Sequence, residues 1–510
     1  MTSTTVDLSS GSRSVRTLIP ARLDRLPWSR FHTRLIFALG IAWILDGLEI
    51  TFASNMVTNL QDPSTVHLTA REAGDIGSIY LIGEVIGALV FGRLSDRLGR
   101  KNLFTWTLGL YLVANGIAAF APGSGVVALL WIYLFRMIAG MGIGGEYAAI
   151  NSAIDELIPS RDRGRVDIGV NGTYWAGAAI AAIGGYWLLD TSTVSANLGW
   201  RLALLIGPAL GIVVWIVRRT LPESPRWLIT HGRVDEAEQT MRDVERWVKD
   251  NGHELSDVSE KKAIEIDPNR ARPSLWQVAK VLVAEYPKRS ILGATLMITQ
   301  SFLYNAIFFT YALVLSEFFG VKNTSLYFIP FAIGNLLGPL ILGPLFDSIG
   351  RRKMISGTYL LSGILLVITA IAFDKGLLTA FTQTMCWCVI FFFASAGASS
   401  AYLTVSEIFP MELRAQAIAV FFAIAQGFGA LGPTVYTSLT ATGNKGDLTI
   451  GYLIGAGVMI LGGLVAAFLS VKAERTSLED IANPLSVVKR ASESISSSAP
   501  TTPQTSPAGG

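Results

Sequence analysis

The chain has 510 residues, of which 51% are hydrophobic and 15% charged, and its formal net charge is +3. Soluble domains carry about 25% charged residues, so this balance excludes an ordinary soluble protein and places the chain in a lipid bilayer. That net charge is too small to suggest a nucleic-acid partner, which calls for a basic surface.

Residues 1–34 are polar and hold no apolar core before Leu35, so they carry no cleavable signal and form an N-terminal segment. Apolar runs long enough to cross about 30 Å of hydrocarbon follow at 35–57, 76–95, 103–121, 127–150, 166–189 and 200–217. Six more lie at 290–314, 326–346, 354–373, 378–403, 415–438 and 449–471. The expectation is an all-α membrane protein with twelve transmembrane helices in two six-helix bundles, 35–217 and 290–471. A connector at 218–289 joins them and a tail at 472–510 follows.

The first span, "IAWILDGLEITFASNMV", puts Asp46 and Glu49 on one helical face. A charge at the centre of a membrane helix costs roughly 2.5–3.5 kcal/mol on insertion scales, and such groups face a bundle interior or an aqueous cavity. Glu84 in the second span, and Arg136 and Glu146 in the fourth, raise the same question. His32, His67, His231 and His253 all fall outside the spans, so a proton relay must use carboxylates. Arginines crowd the even-numbered connections, with Arg93, Arg97 and Arg100 after the second span, Arg161, Arg163 and Arg165 after the fourth, and Arg351 and Arg352 after the eighth. By the positive-inside rule these loops and both termini are cytoplasmic, which fits a multi-pass plasma-membrane protein.

In the connector, Val234, Ala237, Met241, Val244 and Val248 recur at helical spacing and predict an amphipathic helix lying against something apolar. Cys386 and Cys388, two apart on one helix, read as packing residues rather than a disulfide or metal pair. The tail ends in Ser, Thr and Pro, and this composition predicts disorder over 472–510.

An internal repeat organises the whole. "GRLSDRLGRK" from Gly92 matches "GPLFDSIGRR" from Gly343, and "ELIPSRDRGR" from Glu156 matches "EIFPMELRAQ" from Glu407, both at an offset of 251 residues. Parallel repeats of this kind place a substrate site between the halves near the bilayer midplane. The same offset carries Glu84 to Asn335, Arg136 to Trp387, Glu146 to Gly397 and Glu49 to Gln300, so buried charge is confined to the first half. That asymmetry favours a task done once per cycle, such as carrying a proton.

With its paired G-x-x-x-D-x-x-G-R-[RK] loops, the chain resembles the major facilitator superfamily. "PESPRWL" at 222–228, "GWR" at 199–201 and the E-x-x-P-x-x-x-R pairs make it similar to the sugar-porter branch. "DGLE" on the first span and "GGEY" at 144–147 resemble motifs of metabolite/proton symporters. The resemblance implies proton coupling through Glu49 and its partner Arg136, with Asp46, Glu84 and Glu146 as further candidates. It implies substrate binding by Gln300, Asn305, Asn171, Tyr402 and Gln426. Gating falls to Asp96, Arg100, Glu156, Arg163, Asp347, Arg351, Glu407 and Arg414, which would latch one rim of the bundle.

The sequence therefore predicts a monomeric secondary transporter without a cofactor, taking up a small polar metabolite with a proton. A sugar or sugar-derived compound is the first expectation. Aromatic or other organic carboxylates are the alternative, with Arg136 as their anion partner, and a non-transporting receptor is a third. No nucleophile with a base, metal cluster or nucleotide loop points to an enzyme.

Overall fold

The computed structural model describes residues 5–7, 14–218, 222–268, 274–321 and 324–490, and within its helices the side chains of a few positions, Asp96 and Arg100 among them, lie outside the described residues. Strands β1 (Thr5–Asp7) and β2 (Ser14–Thr17) and helix α1 (Ile19–Asp24) precede the first bundle. That bundle comprises α2 (Arg30–Asn55), the short α3 (Val57–Gln61), α4 (Ala70–Leu98), α5 (Arg100–Ala118), α6 (Val126–Leu157), α7 (Arg163–Gly172), α8 (Tyr174–Leu188) and α9 (Ala196–Arg218). The connector supplies α10 (Pro225–Thr230), α11 (Val234–Asp250), β3 (Ile264–Ile266) and α12 (Leu275–Lys280). The second bundle comprises α13 (Pro287–Phe319), α14 (Ser325–Ser348), α15 (Arg351–Asp374), α16 (Ala380–Ile408), α17 (Arg414–Gly429), α18 (Leu431–Thr440) and α19 (Lys445–Leu469). The tail adds α20 (Leu478–Ile481) and β4 (Val487–Arg490).

Helices satisfy every backbone group internally, which is why long apolar runs adopt them in hydrocarbon. Among the described residues, ten stretches are long and apolar enough to cross a bilayer. Helix α5, with Arg100 and Lys101 in its first turn, and the α7–α8 pair complete the expected twelve. The break between α7 and α8 falls at Thr173, whose hydroxyl donates to Val170 O (2.6 Å) and Gly40 O (2.9 Å) and so competes with the helical ladder.

The two signature loops turn sharply between α4 and α5 and between α14 and α15. Gly99 (φ +89°) and Gly350 (φ +108°), 251 residues apart, occupy a backbone region that side chains disfavour. Glycines also let α4 and α6 approach closely, since a Cβ on Gly83 would meet Met137 O and one on Gly144 would meet Glu84 O. This contact fixes Glu84 and Arg136 in the bundle interior, as small residues do between membrane helices.

A second core lies outside the bundles, at the end from which both termini and the connector emerge, here called the terminal rim. Val15, Ile19 and Leu23 pack there against Trp227, Ala237, Met241, Val244, Val248 and Ile264. The predicted α11 stripe is thus the floor of a small domain. Its sheet, in the order β1-β2-β3-β4 and antiparallel throughout, takes strands from the N-terminal segment, the connector and the tail. Arg22 forks Glu245 (3.0 and 2.8 Å), and this bond with that of Arg25 holds the Glu245 carboxyl below its ordinary pKa although burial pushes the other way.

The expected disorder of 472–510 is corrected over 472–490. Composition hid what partners make possible: Glu479 is buried against Arg226 (3.0 Å), Glu412 accepts from the Leu485 and Ser486 amides, and β4 completes the sheet. Residues 491–510 lie outside the described residues. Cys386 and Cys388 are free thiols.

Arg226 also donates to Glu156 O (2.8 Å) and stands 3.4 Å from Asp24, so it ties the connector to the first bundle, the N-terminal segment and the tail. Arg226→Ala removes the arginine that Glu479 pairs with at 3.0 Å in a buried site, a loss of up to about 3–5 kcal/mol. The melting temperature of the purified protein should fall by several degrees, and an unchanged melt would show that the cap does not depend on this arginine.

Candidate functional site

Helices α2, α4, α6, α7 and α8 of the first half face α13, α16 and α17 of the second across a cavity of about 150 Å³. Aromatic rings form much of its wall. Trp43 stands edge-on to Tyr402 (5.8 Å between centroids), Tyr147 lies 5.1 Å from Phe422, and Trp175 lies 5.7 Å from Tyr304. Each of these contacts joins one half to the other.

Polar side chains interrupt the rings. Gln300, Asn305, Asn171, Tyr402 and Gln426, the five substrate-site candidates, all line the wall, and Glu84 lines it with them. Gln426 Nε2 donates to Glu84 Oε2 (3.3 Å), Ser301 donates to Gln426 Oε1 (2.8 Å), and Asn305 donates to Ser301 (3.3 Å). Asn171 spends its amide hydrogens on Asp167 and Asn151 while its Oδ1 has no protein partner. None of the lining residues is a lysine, arginine or histidine.

The other candidate charges lie behind this wall. Arg136 donates to Glu49 (3.2 Å) and Asn115 (2.8 Å), and its guanidinium stacks 4.3 Å from the centre of the Tyr80 ring. Gly207 of α9 leaves room for Glu49, since a Cβ there would collide with Glu49 Oε1. Asp46 accepts from Tyr80 (3.1 Å) and from Tyr147, whose ring belongs to the cavity wall. Glu146 is buried on α6 and does not line the cavity. Arg136 as an anion partner for substrate is corrected by this geometry: its guanidinium is engaged by Glu49 and Asn115 and is absent from the wall.

At the terminal rim, Asp347 of α14 reaches across to the other half and accepts from the Gly164 (3.1 Å) and Arg165 (2.7 Å) amides. These are free donors in the first turn of α7, where the helix carries partial positive charge. Arg351 forks Glu407 (3.0 Å twice) and bonds Asp347 (2.8 Å), while Arg163 lies 3.5 Å from Glu407. Arg414 faces Asp155 at 4.0 Å, and Glu156 gives its carbonyl oxygen to Arg226. Asp96 and Arg100 lie outside the described residues. Among the described residues, every ion pair that joins the two halves lies at this rim.

Sequence reasoning missed Asp155, Asp24, Glu479 and the aromatic wall. It quoted Arg226 within "PESPRWL" without giving it a role. Asp155 stands beside Glu156 in a motif already singled out, and its repeat partner, Ser406, is neutral, which is the same asymmetry that marked the mid-membrane charges.

Comparison with known proteins places this geometry in a family. Residues 37–484 match the family model described as sugar (and other) transporter. The niacin transporter NiaP of Acinetobacter baylyi is 28% identical over 82% of this chain and 90% of its own length. The putative metabolite transport protein YdjK of Escherichia coli is 27% identical over 90% and 96%. Among solved structures, the proton:xylose symporter XylE bound to 6-bromo-6-deoxy-D-glucose superposes with a TM-score of 0.73, at 18% identity, over 89% of this chain and 98% of that one. The chain belongs to the sugar (and other) transporter family and shares the fold of a major facilitator symporter, and it is a multi-pass membrane transporter rather than an enzyme.

The rim contacts generate a test. Asp347→Ala removes the cap on α7, worth about 0.5–2 kcal/mol, and should shift the population toward states open at the terminal rim. Spin labels at the exposed positions Arg165 and Ser348 would report a longer distance. An unchanged distance distribution would show that Asp347 does not hold the rim shut.

Proposed function

We propose that this family member takes up a small ring compound bearing hydrogen-bonding groups, together with a proton, by alternating access, with its terminal rim in the cytoplasm. The observation that carries this reading is the cavity wall, in which rings from both halves alternate with Asn171, Gln300, Asn305 and Gln426. Ligand sites combine apolar and aromatic walls with a few placed polar groups. A cavity of about 150 Å³ matches the size known to admit one benzene ring. Flat faces of Trp and Tyr favour a flat guest, and the amides would bond its ring nitrogen or substituent. A relative of this chain is a niacin transporter, which supports a heteroaromatic ring first. A sugar is the second reading, supported by the same amides, which pair readily with hydroxyls.

The arginine-rich loops all lie toward the terminal rim, which supports the cytoplasmic assignment of that rim and of both termini. With the halves tied there, the cycle begins from a state closed to the cytoplasm. Glu49 beside Arg136 supplies a proton switch behind the wall: protonation of the carboxylate frees the guanidinium, and Tyr147 links the neighbouring Asp46 to the cavity. The proton is the coupling ion, and a single chain holds the whole cavity.

Two measurements test this reading. In a thermal-shift screen, niacin, nicotinamide or a hexose that binds the folded state should raise the melting temperature, and absence of any shift would overturn the ring-compound reading. In vesicles, Glu49→Gln should retain counterflow exchange and lose accumulation driven by a pH gradient. Accumulation at the wild-type level would remove Glu49 from coupling, and collapse of yield and exchange together would make the Glu49–Arg136 pair purely structural.

A further inference from the structure

Four acids lie buried at mid-bundle in the first half, and their surroundings differ. Glu49 is matched by Arg136, Asp46 holds two phenol hydrogens, and Glu146 lies off the cavity. Glu84 alone among them forms part of the cavity wall. It is 1% exposed, its Oε2 accepts from Gln426 of the opposite half, and its Oε1 has no hydrogen-bond partner among the described residues.

We propose that Glu84 is the group through which an acidic ring substrate is admitted only with a proton, its Oε1–H donating to the substrate carboxylate. The inference rests on the ring-compound reading given above and adds to the Glu49–Arg136 switch behind the wall a protonatable group in the wall itself.

The argument is one of charge. Among the described residues the wall offers no cation, so an anionic guest must meet another compensating donor or be excluded. The groups that face Glu84 from the packed helices do not supply it. Asp46 on α2 is an acid. Tyr80 on its own helix, Tyr147 on α6, Tyr174 on α8 and Tyr402 on α16 are phenols. Arg136 on α6 is committed to Glu49 and Asn115. With Glu84 ionised, an unsatisfied carboxylate oxygen meets the guest and repels a second carboxylate. With Glu84 protonated, that oxygen becomes a donor and the pair binds as a charge-shared hydrogen bond. One O–H bond forms on entry and the same bond breaks on release, so one proton travels with each acid.

Gln426 gives the switch its mechanical link. Its amide nitrogen bonds Glu84 Oε2, and its oxygen accepts from Ser301, which also serves Asn305. The chain therefore runs from α4 in one half to α17 and α13 in the other. Occupancy of the cavity and the fit of the halves are read at the same carboxyl.

The test uses niacin and nicotinamide, which share a ring and differ in an acid against an amide. Affinity is measured by thermal shift and by binding to the purified full chain from pH 5.5 to 8, where niacin is an anion. In the wild type, niacin affinity should fall by about tenfold per pH unit once Glu84 ionises, while nicotinamide affinity stays level. In Glu84→Gln, a neutral shape mimic of the protonated acid, niacin affinity should vary less than about twofold over that range, with counterflow retained and pH-driven accumulation lost. Nicotinamide binding to the variant doubles as the check on folding. A Glu84→Gln profile with the wild-type slope overturns the inference, as does wild-type binding of nicotinamide or a hexose with no niacin binding at any pH. Failure of all three probes on the wild type instead overturns the ring-compound reading and removes this inference with it.

Discussion

Buried charge tolerates the middle of a membrane bundle only where another buried group answers it, and the first half is arranged around that requirement. Arg136 must meet Glu49 and Asn115, so α6 must lie within reach of both α2 and α5. Asp46 must meet two phenols, so Tyr80 on α4 and Tyr147 on α6 are held to one side of α2. The interlocked glycines of α4 and α6 make the necessary approach possible. The cavity wall is a consequence, since the ring of Tyr147, anchored at its hydroxyl, is thereby turned against Phe422 of the other half.

The same rule acts at the terminal rim, though there the partners come from different segments of the chain. Asp347 and Glu407 are answered by donors from across the interface as well as by Arg351. Arg226 is answered by the N-terminal segment and the tail. Opening this rim would part Asp347 from the α7 amides and Arg163 from Glu407, whereas the Arg351–Glu407 pair lies wholly within the second half. The contacts between halves are thus the ones that a conformational cycle would break and remake, and the contacts within a half can persist. Sugar-like or aromatic, a substrate in the central cavity lies about two helical turns from these rim contacts, since Asn171 of the wall and the Gly164 and Arg165 amides share α7, and the rigid half-bundles carry any coupling between the two.

Span number, bundle division and the family were legible because periodic apolar runs and a fixed repeat offset are properties of sequence alone. Five polar or aromatic positions placed by resemblance also line one cavity, because Gln300, Asn305, Asn171, Tyr402 and Gln426 interrupt apolar spans and so announce themselves. Trp43, Trp175 and Phe422 did not, since an aromatic residue in an apolar span has the same appearance whether it faces lipid, core or cavity. The tail was misread over 472–490 for a related reason. Its composition cannot bury a core of its own, but a β-strand and a buried Glu479 need only partners elsewhere, and Arg226 stands more than two hundred residues away in the chain.

Duplication then divergence accounts for the division of labour across the cavity. At the repeat offset of 251, Trp175 corresponds to Gln426, Asn171 to Phe422, and Glu84 to Asn335. The first two pairs both reach the wall, with a ring on one side and an amide on the other, exchanged between the halves. The third has split further: Glu84 faces the cavity, and Asn335 is turned into its own half, where it accepts from Tyr304 and donates to Phe331 O. Among the described residues around the cavity, the carboxylates and the arginine belong to the first half, while Gln300, Asn305 and Gln426 furnish amides from the second. On the proposed reading, the proton is therefore held by the first half, and the substrate is gripped between that half and the amides of the second. A rocking motion between those halves changes the distance between the two ligands' contacts without any helix having to bend, and that is the simplest physical form that coupling can take in this fold.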